Sequence, residues 1–437
     1  MISDDALAAL KDRNPVDQVA AQWVTLRRKG PERRGQFVGP CPICSRNSNS
    51  KSAGRFECDA DKWVCAVCGD GGDVIRLVMK REGVDFRTAL DRLGGVRDEA
   101  PTPALARKRG MKDYDAGVAL DDPLNVPPAY DGRPELVAAW RDGWRTAKRR
   151  ADYEMFARER ERKRLLRFWN EAAGDAHRRY LAGRGLLVPR SAQLRTHAAM
   201  PYFADGRENE PLLIHTGPAM LAPFFDIAGA FIGLHITWLD PVFADGAAAP
   251  DAIVAALRKN KGKALIVHPD TGEVLIAKKM RGTKRGGYID LGGWPCNDGS
   301  YRRMISGEGI ETVLSPFTAM ARARRLKPGD LFRCAGDLGN LAGKASATVA
   351  HPTLKADAGR PQRVPGPEPD LSSPAMPVPE TIEDLILLGD GDSDPVLTRH
   401  ALARAGVRHA RDNRIVRVCF AADGHDFNDM LPRPARD

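Results

Sequence analysis

No stretch of this 437-residue chain stays apolar for long enough to cross a membrane. The longest candidate, Leu212 to Leu239, is broken by Asp226, two histidines, two prolines and several glycines, whereas a span needs about 20 mostly apolar residues. It reads as a run of strands. The opening Met1-Ile-Ser-Asp-Asp5 has neither the basic flank nor the apolar core of a secretory leader, so a cytoplasmic location is expected. A nucleotide-hydrolysing motor is absent as well. The nearest approach to a P-loop, Gly339-Asn-Leu-Ala-Gly343-Lys344-Ala345, has one residue too few between its glycines and no Ser or Thr after the lysine. No repeat recurs at a fixed period.

What the chain does have is a cluster of cysteine. Of eight cysteines, four fall in Cys41-Pro-Ile-Cys44 and Cys65-Ala-Val-Cys68, and Gly69-Asp-Gly-Gly-Asp73 follows at once. Two C-x-x-C pairs 20 residues apart match a tetrahedral site for one structural Zn²⁺, each pair on a tight knuckle and a hairpin between them. Two disulfides are the alternative, and a chain without a leader points to a reducing interior. The net charge of +10, from 67 basic and 57 acidic residues, favours an anionic partner, of which nucleic acid is the commonest.

Length and pattern suggest an α/β multidomain protein. Residues 1–97 hold a helical start, the cysteine region and two short helices ending at Gly94-Gly95. Residues 98–168 read as a linker followed by a charged helix that includes Arg158-Glu-Arg-Glu-Arg-Lys-Arg164, a run expected to be solvated or to contact phosphate. Residues 169–300 carry strands with turns, including a hairpin at Asp226-Ile-Ala-Gly229. Residues 301–437 alternate strand and helix, the pattern of a parallel sheet, interrupted over 351–380 by eight prolines that suggest a mobile loop.

Carboxylates recur where that sheet's strands end. Arg303-Met-Ile-Ser306 predicts a strand, so Glu308 stands at its carboxyl end between two glycines. Leu385-Ile-Leu-Leu388 leads to Asp390-Gly-Asp392, with Asp394 as a helix N-cap and Pro395 at the first helical position. A third strand, Ile415 to Cys419, leads to Asp426, Asn428 and Asp429. Hard oxygens from several strand ends suit Mg²⁺, so Glu308, Asp390 and Asp392 together are candidate metal ligands. Just before them, Lys278, Lys279, Arg281, Lys284 and Arg285 concentrate five cations among glycines, a setting for phosphate or a template strand. Trp63, beside Cys65, and Phe56 are candidates for stacking on bases, Phe56 equally for packing inside the ribbon, and Lys62 is a further candidate contact to nucleic acid.

These residues resemble a known family. The two cysteine pairs, Phe56, Gly69-Asp-Gly-Gly-Asp-Val-Ile75 and Val84-Asp-Phe-Arg-Thr-Ala-Leu90 are similar to the zinc ribbon of bacterial and phage DnaG-type DNA primases. Glu308-Gly-Ile-Glu311 and Asp390-Gly-Asp392 resemble their Toprim domain, and Leu221 to Leu239 their basic core subdomain. His425-Asp-Phe-Asn-Asp-Met-Leu431 looks like the ending of phage- and plasmid-type members. The resemblance implies an N-terminal zinc β-ribbon that engages template, an α+β basic core subdomain, and a C-terminal Toprim α/β parallel sheet of Rossmann-like form. It also implies catalytic Mg²⁺ or Mn²⁺ on Glu308, Asp390 and Asp392.

The sequence departs from the family at three places. Cys44 stands where many members have His, and the resulting four-thiolate centre is one that Lys51, Arg55 and Lys62 would offset. Pro395 replaces a usual glycine, and His425 a usual basic residue. The expected function is RNA primer synthesis on single-stranded DNA from ribonucleoside triphosphates, beside a separate replicative helicase. The alternatives are a non-catalytic zinc/Toprim DNA-binding protein of recombination-mediator type and a Toprim nuclease. A mediator would begin with helix-hairpin-helix elements, which the sequence lacks.

Overall fold

The computed structural model describes residues 4–28, 36–44, 56–95, 102–120, 122, 125–205, 210–355 and 361–432. They form two compact units, Met1–Ala157 with Ala350–Val364, and Arg158–Val349 with Pro365–Asp437.

The first unit opens with α1 (Asp4–Arg13) and α2 (Val16–Ala21). A five-stranded antiparallel sheet follows in sequential order: β1 (Arg27–Arg28), β2 (Phe37–Gly39), β3 (Phe56–Cys58), β4 (Trp63–Cys65) and β5 (Asp70–Gly72). Gly71 is required where β5 lies against β4, because a Cβ there would sit 2.7 Å from the Trp63 carbonyl oxygen. Two capped helices close the ribbon. The Asp73 carboxylate accepts from the Arg76 N–H at 3.0 Å to start α3 (Val74–Glu82), and Asp85 accepts from Thr88 at 2.8 Å to start α4 (Phe86–Arg92). Their inner faces join Leu10, Phe56 and Trp63 in one core.

The expected linker is helical in part. Thr102 caps α5 (Pro103–Asp115), with Pro103 in the first turn. This helix packs on α6 (Pro134–Glu171) at two glycines. A Cβ at Gly110 would lie 1.9 Å from the Trp140 carbonyl oxygen, and one at Gly143 equally close to that of Arg107. The Trp140 indole donates to the buried Asp113 at 2.9 Å. Ala106, Tyr130, Leu136 and Trp140 make a core too small to mark the sequence as apolar.

The second unit is built on a nine-stranded mixed sheet. After α7 (Ala176–Gly183) come β6 (Arg195–Asp205), β7 (Pro211–Phe225) and β8 (Phe231–Trp238), antiparallel throughout. The expected hairpin turn is present, the Asp226 carboxylate accepting from the Ala228 and Ala230 N–H groups at 2.9 Å each. Helix α8 (Pro250–Asn260) and the small pair β9 (Ile266–Val267) and β10 (Val274–Leu275) precede β11 (Lys278–Gly282) and β12 (Tyr288–Trp294). Then come β13 (Arg303–Gly307), α9 (Ile310–Arg322), β14 (Asp330–Cys334) and α10 (Leu338–Ala342). The pair β15 (Thr348–Lys355) and β16 (Pro361–Pro365) falls almost wholly in the first unit, and the second unit resumes with β17 (Asp384–Gly389), α11 (Pro395–His409) and β18 (Ile415–Phe420).

Strand order is β11-β8-β7-β12-β14-β13-β17-β18, with β6 beside β7. Strands β14, β13, β17 and β18 are mutually parallel, as the strand–helix alternation predicts. The basic core and the parallel region therefore share one continuous sheet, joined where β12 pairs antiparallel with β14. Helix α9 buries Ile310, Val313 and Leu314 against it, each contributing about 1.5–3 kcal/mol of transfer free energy. The expected mobile loop over 351–380 carries regular structure in its described residues, where β15 pairs with β16 and Met376 and Val378 are buried, while 356–360 lie outside the described residues. Its prolines suit extended, edge-strand backbone, a use that composition does not separate from a loop.

Candidate zinc centre and acidic sheet edge

The knuckles at Cys41–Cys44 and Cys65–Cys68 bring four thiols together. Sγ of Cys41 lies 3.6 Å from that of Cys68, and Cys44 lies 3.9 Å from Cys65. A tetrahedron with Zn–S bonds of about 2.3 Å has edges of about 3.8 Å, so the spacing fits zinc. Backbone N–H groups of Ile43 and Cys68 point at Cys41 and Cys65 Sγ, each at 3.4 Å. Donation from Cys41 and Cys68 pushes Cys65 down to about 2, while that same bond pushes Cys41 up to about 12. Four ionised thiols require a cation among them. Among the described residues, this is the only group of three or more His, Cys, Asp or Glu whose ligand atoms all lie within 4.8 Å of one another.

Two expectations around the ribbon change. Trp63 is 2% exposed, and its indole N–H donates to the Asp73 carbonyl at 3.1 Å. No ring face is open to a base, so Trp63 is a core residue stacked on the equally buried Phe56, and not a stacking platform. Lys62 is exposed beside it, while Lys51 and Arg55 lie outside the described residues. The Gly-Gly-Asp extension is structural: Asp70 pairs with Arg76 and Lys80, and Asp73 with Lys11.

The parallel strands deliver the carboxylates as predicted. Glu308 follows β13 directly, and Asp390 follows β17. Asp394 caps α11, accepting from the Val396 and Leu397 N–H groups, with Pro395 in its first turn. Burial, then the neighbouring Asp390, raises the Glu308 carboxyl above its ordinary range. Burial also raises Asp390, with Asp392 and Asp426 adding to it. Thr312 donates to Asp390 Oδ2 at 2.9 Å, while Asp390 Oδ1 is buried with no hydrogen-bond partner. An orphaned carboxylate oxygen among repelling carboxylates is a setting that a hard cation would relieve, but Glu308, Asp390 and Asp392 do not bring three ligand atoms within 4.8 Å of one another as the four cysteines do. Gly391 is essential to the loop's path, since a Cβ there would meet the Ala422 carbonyl oxygen at 2.2 Å.

The basic segment is tied down by acids distant in sequence. Lys278 faces Glu311 at 3.5 Å, Arg281 pairs with Glu161 at 2.6 Å, and Lys284 pairs with Asp337. Lys279 lies over the Tyr202 ring, 3.8 Å from its centroid, and donates to the Phe203 carbonyl. Arg285 is exposed. Buried Asn340 staples this loop to α10, accepting from Gly286 N–H and donating to the Gly287 carbonyl, both at 2.8 Å. The segment that resembles a failed P-loop thus serves as an anchor.

Sequence reasoning passed over Glu311 as a site residue. It lies one helical turn beyond Glu308 and gathers Tyr180 Oη at 3.0 Å, Arg184 Nη1 at 3.8 Å and Lys278. These cations outweigh its burial and hold its carboxyl well below the usual range. The i, i+3 spacing in Glu308-Gly-Ile-Glu311 was the available signal. Lys263, half-buried near the same group, is pushed down to about 8 by burial and by Lys278.

A four-thiolate zinc ribbon and a sheet edge bearing carboxylates on one chain define a metal-binding α/β protein. Residues 2–99 match the CHC2 zinc finger family, the DnaG-type zinc ribbon, and residues 158–267 match a domain of unknown function, DUF7146. The chain is similar to the DNA primase of Streptomyces coelicolor, 34% identical over 96 residues that make up 22% of this chain and 14% of that protein. It is 30% identical over 120 residues to the DNA primase of Mycobacterium bovis, covering 25% of this chain and 17% of that protein. The chain therefore spans under a fifth of the length of these two relatives. The zinc-binding and RNA polymerase domains of the Aquifex aeolicus primase align at a TM-score of 0.28 and 12% identity, over 98% of this chain and 82% of that one. Among the described residues, no helix is long and apolar enough to cross a membrane.

Proposed function

We propose that the chain is a DNA primase, a nucleotidyltransferase that synthesises short RNA primers on single-stranded DNA. The observation that carries this reading is the union of a primase-type zinc ribbon with the half-buried carboxylates Glu308 and Asp390 at parallel strand ends. Glu308, Asp390 and Asp392 are the residues that would hold Mg²⁺ or Mn²⁺. Such ions, when bound, supply charge neutralisation for the attacking 3′-hydroxyl and the leaving pyrophosphate.

The protein's own groups do the rest. Thr312 fixes the orientation of Asp390 by donating to Oδ2, leaving Oδ1 without a hydrogen-bond partner. Lys278 and Lys284 act on Glu308 electrostatically and are placed to exchange their present partners, Glu311 and Asp337, for triphosphate oxygens. Lys279, Arg281 and Arg285 extend that cationic segment toward the template, and exposed Lys62 does so on the ribbon. Ribonucleoside triphosphates are the substrates, a replicative helicase on another polypeptide is the partner, and the setting is cytoplasmic.

The test incubates the full chain with single-stranded DNA, labelled ribonucleotides and Mg²⁺ or Mn²⁺. Wild type should give short RNA that Asp390→Ala abolishes. DNA binding without synthesis across templates and metals would overturn the reading.

A further inference from the structure

Helix α6 presents a row of residues that the ribbon and the acidic edge leave unused. Arg149, Tyr153, Phe156, Arg160, Lys163 and Arg167 follow one another at intervals of four and three, so at 100° per residue they lie within about 40° of one line. At 1.5 Å per residue the row is about 27 Å long. The buried positions of the same helix, Trp140, Ala147, Leu165 and Trp169, fall on its opposite side. All six row residues are exposed, Tyr153 at 73% and Phe156 at 64%. Between its ends the helix's acids Asp152, Glu154, Glu159 and Glu161 project off the row, while Asp142 and Glu171 lie on its line just beyond Arg149 and Arg167.

A helix made merely soluble needs the charge and not the two rings. We infer that this row is a binding track for single-stranded DNA, bases stacking on Tyr153 and Phe156 while the flanking cations hold phosphates. Charge complementarity selects the occupant: four cations line the row and carboxylates stand only beyond its two ends, on a chain of net charge +10. The rings select single strands, because a duplex keeps its base faces stacked on one another. The cations' present partners offer little competition. Arg149 is 3.9 Å from Asp142, Lys163 is 3.8 Å from Glu159 and Arg167 is 3.6 Å from Glu171, exposed pairs of small net worth.

This inference deepens the primase reading, since it assigns the template a surface. The test measures anisotropy of a labelled oligothymidylate with the full chain, comparing wild type, Tyr153→Ala/Phe156→Ala and Arg160→Glu/Lys163→Glu. Two lost stacking platforms should weaken binding at least about tenfold. The charge-reversed variant should also bind more weakly and show a shallower salt dependence. Both variants should keep the wild-type circular dichroism and melting temperature, because the altered side chains are in solvent. Affinities within twofold of wild type would overturn the inference, as would equal binding of duplex DNA with no effect of the rings. A wild-type dimer that the aromatic variant dissolves would assign the face to a second copy, and so also overturn it. The two readings fail separately. If wild type binds the oligonucleotide yet makes no primer, the activity is wrong. If wild type makes primers and the variants bind normally, the track is wrong.

Discussion

Arg184 and Asn428, 244 positions apart, hold each other through reciprocal hydrogen bonds. The guanidinium donates to Asn428 Oδ1 through Nε at 3.2 Å and Nη2 at 3.0 Å, and Asn428 Nδ2 donates back to the Arg184 carbonyl at 3.0 Å. The remaining terminal nitrogen of Arg184 faces Glu311. The carboxy-terminal motif is thereby fastened to α7 beside the acidic edge. Asn428→Ala should cost about 1–3 kcal/mol, because it strips acceptors from a largely buried cation. Hydrogen exchange should show lost protection over 415–432 and primer synthesis should fall. Unchanged protection there would contradict the fastening role.

Gly391 and Gly406 predict opposite outcomes for one chemical change. Gly391→Ala forces the loop off the Ala422 carbonyl, which is backbone and does not yield cheaply. A loss of about 1–3 kcal/mol is expected, with loss of primer synthesis. Gly406, inside α11 with open space around its Cβ position, should gain up to about 1 kcal/mol as Ala. Melting curves of both variants check the pair.

The acidic edge sets a pH dependence with a definite sign. Glu308 and Asp390 have folded-state carboxyls raised above 4.5 and 3.8, so their contribution to stability is present at low pH and is lost as pH rises through the raised values. Divalent cations compete with those protons. Millimolar Mg²⁺ should therefore raise the melting temperature more at about pH 8 than at about pH 5. Asp390→Asn should stabilise the metal-free protein, by roughly 2 °C, and abolish the increment from Mg²⁺. An increment that is equal at both pH values would place the ion elsewhere.

Much of this was legible in the sequence because its signals are local. The C-x-x-C pairs fix their own knuckles, and strand–turn–helix punctuation put Glu308 and Asp390 at strand ends before any tertiary contact was known. Other features depend on partners far along the chain. The contact of α5 with α6 rests on Gly110 and Gly143, which carry no apolar signal. The ion pairs of Arg281 with Glu161 and of Lys284 with Asp337 span 120 and 53 positions, so a basic run that looks free is in fact engaged. Trp63 carries no local mark of burial in the sequence, yet alternation along β4 turns it inward.

Zinc content offers an independent check. The account expects one zinc per chain, and none after Cys44→Ser or chelation. Protection of 36–44 and 56–95 should then collapse, since metal binding supplies much of a small ribbon's folding free energy. A full complement of zinc in Cys44→Ser would contradict the four-cysteine ligand set.

The most direct measurement of the central claim supplies a γ-labelled purine ribonucleotide with unlabelled ribonucleotides on single-stranded DNA. Only a chain begun from nothing keeps that label, at its 5′ end. Wild type should yield labelled short RNA that requires Mg²⁺ or Mn²⁺ and disappears in Asp390→Ala. Products that incorporate α-label but never γ-label, or no product from a protein loaded with zinc and binding DNA, would contradict the account.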